Sequence, residues 1–159
     1  MVRLGKLTDY GLVLMTYMAR SQDPLRTARE LAAESKLPVS TVSKLLKELL
    51  HGGLLVSQRG INGGYLLARV PKEISVLEII AALEGSVALT ECTTEIPGLC
   101  ELESSCPMKN NQRVINEAVR GVLGMITLSD LMQPLQLASV KDLTGKLVPI
   151  IHSMPGRIQ

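Results

Sequence analysis

Residues 27–69 read TARELAAESKLPVSTVSKLLKELLHGGLLVSQRGINGGYLLAR, and the order of periodicities in this stretch decides the fold. Thr27 with Glu30 three residues later has the spacing of a capping box. It opens a helix with a small apolar face of Ala28, Leu31 and Ala32, ending near Ser35. Lys36-Leu37-Pro38 makes a short turn. Ser40 is placed to cap a second helix running to about Leu50, with Val42, Leu45, Leu46, Leu49 and Leu50 on the helical period. Gly52-Gly53 stops it. Leu54–Gln58 then reads as a strand, Arg59–Gly64 as a turn-rich tip and Tyr65–Arg69 as a returning strand. Helix, turn, helix and hairpin in this order predict a mainly α winged helix-turn-helix with a two-stranded wing.

The second of these helices carries Ser40, Thr41, Ser43, Lys44 and Lys47 away from its apolar positions. A helix that enters a major groove, about 12 Å wide, must be small and polar on its outer side. The hydroxyls can reach phosphate or base edges, and the two lysines can neutralise phosphates or reach guanine acceptors. A solvated helical hairpin would look similar, but the wing behind it favours duplex DNA. Arg59 at the wing base is placed for an adjacent minor groove or for phosphate. Residues 1–70 hold ten Lys/Arg against five Asp/Glu, and residues 71–159 hold seven against ten. An anionic partner for the first half accounts for that asymmetry, as would a chance imbalance on solvated faces. The absence of Phe and Trp, with only three Tyr, argues against stacking platforms for single strands.

The 159 residues, 46% apolar and 20% charged, suit one domain or a domain with an appendage. No run nears the ~18 apolar residues of a membrane span. Arg3 and Lys6 before the apolar run Gly11–Ala19 resemble a secretion signal, but Asp9, Arg20 and the lack of an A-x-A-like site oppose it. Leu7, Tyr10, Leu14, Tyr17 and Met18 instead predict a helix from about Leu7 to Ser21, with Thr8 and Asp9 helping to start it, in a cytoplasmic protein. Further on, Ser75–Glu84 reads as a helix with Val76, Ile79, Ile80 and Leu83 inward. From Met108 to about Gly124, a stripe of Ile115, Ala118, Val119, Val122 and Ile126 suits packing on a second helix, and a reader of duplex DNA usually needs a second copy. The same chain's core is the commoner partner for any one helix, but a homodimer through this helix is the expectation. Thr127–Met132 reads as a short final helix capped by Ser129, and Lys141–Leu147 as a turn of helix in the tail. The predicted division is a DNA-binding domain over 1–85, a cysteine loop over 86–107, a dimerisation helix and short final helix over 108–135, and a tail over 136–159.

Cys92, Cys100 and Cys106 are the chain's three cysteines, spaced C-x7-C-x5-C. Clustered thiolates on a loop suit a soft metal. Zinc favours short C-x2–4-C knuckles and none occurs, so an iron–sulfur cluster ranks first, a thiol redox switch second and zinc third. A cluster wants a fourth ligand: Asp9, Glu91, Glu95, Glu101, Glu103, His51, His152 or a small external thiol are candidates. A catalytic thiol using Cys100 or Cys106 lacks a base, since neither His51 nor His152 sits in a local motif. An iron–sulfur carrier without DNA binding leaves the basic helix and wing unexplained. The chain is therefore not expected to be an enzyme.

KLTDYGL, PVSTVSKLLKEL, RGINGGYLLAR, ISVLEIIAALEG, ALTEC, the cysteine loop, INEAV and TLSDL together resemble the winged-helix regulators of the IscR/NsrR type, nearest to the branch tied to SUF iron–sulfur assembly. The resemblance runs to about Leu135. It implies a homodimer with a long crossed helix on a pseudo-palindromic operator, and an iron–sulfur cluster on Cys92, Cys100 and Cys106. It puts Ser40, Ser43, Lys44 and Arg59 at DNA-contacting positions. IscR-like members carry a ligand His where this chain has Lys109, whereas Asp9 matches the acid that NsrR-like members contribute from the other subunit. That pairing favours a 4Fe–4S over a 2Fe–2S form, with the partner subunit's Asp9 as fourth ligand. The implied mechanism is a loop ordered on the partner's first helix, which resets the spacing of the two recognition helices. The implied alternatives are a nitric-oxide- or redox-sensing repressor of NsrR type, or a thiol switch without a cluster.

Overall fold

The computed structural model describes residues 4–96 and 98–135. In order it contains α1 (Lys6–Arg20), α2 (Ala28–Ser35), α3 (Val39–His51), β1 (Leu55–Gln58), β2 (Gly64–Leu67), α4 (Val76–Glu84), α5 (Lys109–Met125) and α6 (Leu128–Leu131). Short 3₁₀ turns occupy Pro71–Glu73 and Glu91–Thr93. β1 and β2 pair antiparallel from Leu55↔Leu67 to Gln58↔Gly64. The predicted winged helix-turn-helix is therefore the observed one; the tail helix predicted at Lys141–Leu147 lies outside the described residues.

Local chemistry sets the helix boundaries. Thr27 and Glu30 form the expected capping box: the Thr27 hydroxyl accepts from the Glu30 N–H at 3.3 Å, and the Glu30 carboxylate accepts from the Thr27 N–H at 2.8 Å. Lys36 ends α2 in the left-handed region at φ 58. Ser40 is not the cap of α3. Pro38, with no N–H to satisfy and an extended ψ of 138, precedes the first helical residue, which leaves Ser40 exposed within the first turn. Nor does Ser129 cap α6. Thr127 does, in a capping box with Asp130, just as Ser75 and Glu78 start α4. α1 has Gly5 at its N-cap, which offers no side chain. Glu84, at the far end of α4, substitutes for one: its carboxylate accepts from the Gly5 N–H at 2.6 Å and from the Thr8 hydroxyl.

The core joins the first three helices, β1 and α4. Leu14, Met15, Leu31, Val42, Leu45, Leu46, Leu49, Leu54 and Ile79 are all sealed from solvent. On α1, Met15 rather than Tyr17 completes the buried stripe, and Tyr17 is exposed. A smaller cluster of Val76, Ile80 and Ile126, with Val122, Leu123 and Leu131 against it, ties α4 to α5 and α6. This splits the apolar stripe expected along α5. Its C-terminal part is filled from within the chain, whereas Ile115, with its neighbour Val114, stands exposed.

The wing is clamped one ladder pair short of its tip. Arg26 and Tyr65 exchange backbone hydrogen bonds, Arg26 N to Tyr65 O at 2.9 Å and Tyr65 N to Arg26 O at 2.8 Å, which adds an isolated bridge beyond β2. The Arg26 guanidinium is itself buried, donating to the Ser21 hydroxyl at 2.7 Å and pairing with Glu34. A Cβ on Gly64 would lie 2.7 Å from the Arg26 carbonyl oxygen, so only glycine permits this approach. Gly64→Ala should cost about 1–3 kcal/mol, as overpacking against fixed backbone does, read as a lower urea midpoint. An unchanged midpoint would show that the bridge does not hold the wing.

Candidate nucleic-acid interface and cysteine loop

α3 is divided lengthwise. Val42, Leu45, Leu46 and Leu49 are buried, while Ser40, Lys44, Lys47 and His51 are exposed. At 3.6 residues per turn these four exposed residues fall within about 60° of arc. Thr41 and Ser43 flank the face, half-buried, and Glu48 stands exposed at its edge. His51 was not among the residues expected here. Its signal was present in the i, i+4, i+7, i+11 series that begins at Ser40.

Arg59 stands not at the wing base, as expected, but just past the end of β1 at the tip, exposed at the mouth of a cleft of about 450 Å³ between the start of α2 and the tip half of the wing. Thr27, Ser57 and Gln58 line the same cleft, and none of them stood out in the sequence as a site residue. The cleft is open, and Arg59 supplies its positive charge. Arg26, by contrast, is spent inside the fold.

The three cysteines lie on one loop as free, half-buried thiols. Cys92 sits in the Glu91–Thr93 turn with its Sγ 3.3 Å from the Thr90 hydroxyl. Among the described residues, no three His, Cys, Asp or Glu side chains are gathered closely enough to hold a metal ion. Both ends of the loop are nonetheless fixed to α5. Buried Asn116 accepts from the Leu89 N–H at 3.0 Å through its Oδ1, and Arg120 donates to the Val87 carbonyl at 3.2 Å. At the other end the Lys109 N–H donates to the Cys106 carbonyl at 3.3 Å. Between Cys100 and Cys106, Glu103 accepts from the Gly98 N–H at 2.9 Å and pairs with Lys109 Nζ at 3.1 Å. Lys109, at the position of a ligand in IscR-like sequences, is thus engaged with a carboxylate. Of the other expected acids, Asp9 is exposed in the first turn of α1 and Glu91 and Glu101 are exposed on the loop, where Glu95 is also carried. His51 lies on α3, and His152 lies outside the described residues.

A wing-bearing helix-turn-helix with a polar, basic outer helix face defines a DNA-binding transcriptional regulator. The chain belongs to the Rrf2 family, described as iron-dependent transcriptional regulator, which matches residues 4–134. It is 31% identical over 135 residues to the HTH-type transcriptional regulator NsrR of Halalkalibacterium halodurans, across 82% of this chain and 90% of that one. Among solved structures it is similar to CymR, the global cysteine regulator of B. subtilis, with a TM-score of 0.67 and 29% identity over 86% of this chain and all of that one. IscR of T. potens gives a TM-score of 0.62 at 27% identity over 86% of this chain and 90% of that one. The chain is a transcriptional regulator and not an enzyme. No helix among the described residues is long and apolar enough to cross a membrane.

The Gly98 N–H, and then the Lys109 ammonium, hold the Glu103 carboxyl below its ordinary pKa. A lowered value means that the tether is complete above the ordinary glutamate pKa and is lost as pH falls through the lowered one. The Gly98 amide resonance should therefore titrate below the ordinary glutamate range, and Glu103→Gln should flatten that titration. A Gly98 shift unmoved by acid in the parent chain would exclude the tether.

Proposed function

We propose that the chain is a homodimeric regulator that binds a pseudo-palindromic operator in the cytoplasm and senses an iron–sulfur cluster, controlling SUF-type iron–sulfur assembly genes. The observation that carries this reading is the cysteine loop: all three of the chain's thiols are free, half-buried and on one segment pinned at both ends to α5. Soft thiolate donors in that number fit an iron–sulfur cluster short of one ligand. Cys92, Cys100 and Cys106 would hold it, and the partner subunit's Asp9 would complete a 4Fe–4S site; Asp9, exposed on α1, is free to serve a second copy in the same way. When bound, such a cluster supplies a centre that oxidants, nitric oxide or iron starvation remove. The chain's own part is mechanical. Gathering the three thiolates requires the loop to draw in against its anchors at Asn116, Arg120 and Lys109, and α5 is the helix that would pair the two copies through exposed Val114 and Ile115. The SUF assignment rests on the sequence resemblance of the wing and loop. A thiol switch without a cluster is the second reading, favoured by three thiols that stand free and ungathered.

On DNA, Ser40, Thr41, Ser43, Lys44 and Lys47 face the major groove in this reading, and Arg59 the neighbouring minor groove or phosphate. Lys44→Ala with Arg59→Ala should weaken operator binding, and should lower the slope of log affinity against log salt by about one for each phosphate left without its cation. An unaltered slope would remove both residues from the interface. Anaerobically purified protein should be brown and contain iron and sulfide, and alanine at any one cysteine should abolish the visible absorption. Full iron content in a Cys100→Ala variant would contradict the ligand set, and colourless, metal-free parent protein whose operator binding responds to thiol oxidants would decide for the second reading.

A further inference from the structure

At the tip of the wing the fold does something its own stability does not require. Ile61 is 103% exposed, whereas the next most exposed large apolar side chain among the described residues, Leu102, stands at 64%. Single exposed apolar residues are ordinary on protein surfaces, but this one occupies a central position of a tight turn. The turn is closed by a hydrogen bond from the Gly63 N–H to the Gly60 carbonyl at 3.0 Å, which leaves Ile61 and Asn62 in the middle. Those positions favour Gly, Pro, Asn, Asp and Ser, each for a reason of backbone geometry or local hydrogen bonding that a β-branched side chain does not supply. Neither turn chemistry nor packing therefore accounts for isoleucine here.

The arm that presents it is stiff. A Cβ on Gly63 would lie 2.5 Å from the Gln58 carbonyl oxygen and 2.8 Å from that of Gly60, so the tip is folded tightly on itself. One ladder pair below the tip, the hairpin is held by the Arg26–Tyr65 bridge. An apolar group held out rigidly binds without first losing conformational freedom, which is the benefit of preorganisation. Arg59, two residues before it, is exposed and cationic. A positive side chain followed closely by a projecting aliphatic one fits the DNA minor groove, whose walls are sugar and whose base steps are opened by apolar wedges.

We propose that Ile61 is the apolar wedge of the wing: it enters the minor groove beyond Arg59, packs on sugar and base edges, and bends the operator there. It would make the chain sensitive to how easily a step deforms, favouring flexible pyrimidine–purine steps at a position read by no base-specific hydrogen bond. This rests on the wing reaching the minor groove, as proposed above.

The test uses the full chain and a duplex of about 30 bp, roughly the size of a bent operator site, enriched by that chain from a random pool. Affinity is read by fluorescence anisotropy and bending by energy transfer between dyes on the duplex ends. Ile61→Asn should weaken binding roughly tenfold, the equivalent of one buried aliphatic group, and reduce the bend, with the salt slope unchanged because every cation on phosphate is kept. Ile61→Leu, which keeps the wedge, should recover both. Thermal melting should be the same for all three, since Ile61 buries nothing in the fold. If Ile61→Asn binds and bends DNA like the parent while Arg59→Ala is weakened, the wedge is wrong and the tip faces something other than DNA. If Arg59→Ala is also indistinguishable from the parent, the minor-groove reading of the wing falls with it.

Discussion

Val42, Leu45, Leu46 and Leu49 lock one side of α3 into the core, and a helix locked on one side cannot turn about its own axis. A shift of one residue, about 100° of rotation, would bring Ser43 into the place of Val42 and Lys47 into that of Leu46. Each buried leucine is worth about 1.5–3 kcal/mol, so that rotation is closed. The outer face is therefore aimed by the leucines behind it. The wing is aimed by the same logic through buried Leu54 and Leu55 and through its backbone exchange with Arg26. The helix with the basic outer face and the wing are held by one core, so their relative placement is a property of the fold.

α5 is governed by a different compromise. Its C-terminal end is finished by α4 and α6, and its middle is occupied by the chain segment that leads into the cysteines. Asn116, buried on the same helix, has its carbonyl oxygen satisfied by the Leu89 N–H, and a buried polar group is tolerable only when satisfied in this way. Ile115, next to it in sequence, faces solvent. A shift of residues 87–90 must carry this turn of α5 with it or break the Leu89–Asn116 bond. Loop and exposed apolar surface are coupled by that geometry whatever chemistry acts on the thiols.

How much of this was legible beforehand depended on whether the determinant was local. The capping box at Thr27, the stop at Gly52-Gly53, the wing glycines and the period of α3 are short-range patterns, and each appears where the sequence puts it. Neither cap expected at Ser40 or Ser129 formed: α3 starts directly after Pro38 with no side-chain cap, and the Thr127–Asp130 pair starts α6. Glu84 as the cap of α1, the burial of Arg26 and the anchoring role of Asn116 depend on residues distant in sequence, and no periodicity announces them. Asn116 left one trace, a polar residue beside the apolar stripe. The cysteine spacing put three thiols on one loop, where they are, but did not announce the Glu103–Lys109 tether that crosses between them.

The first turn of α1 is finished by a carboxylate 79 positions away. Among the described residues, no side chain within α1's own stretch caps that turn. α1 therefore draws part of its stability, about 1 kcal/mol for a cap, from a residue of α4. A contact of that sequence separation closes more slowly than a local turn, so the finished end of α1 belongs to the assembled fold and not to the helix alone.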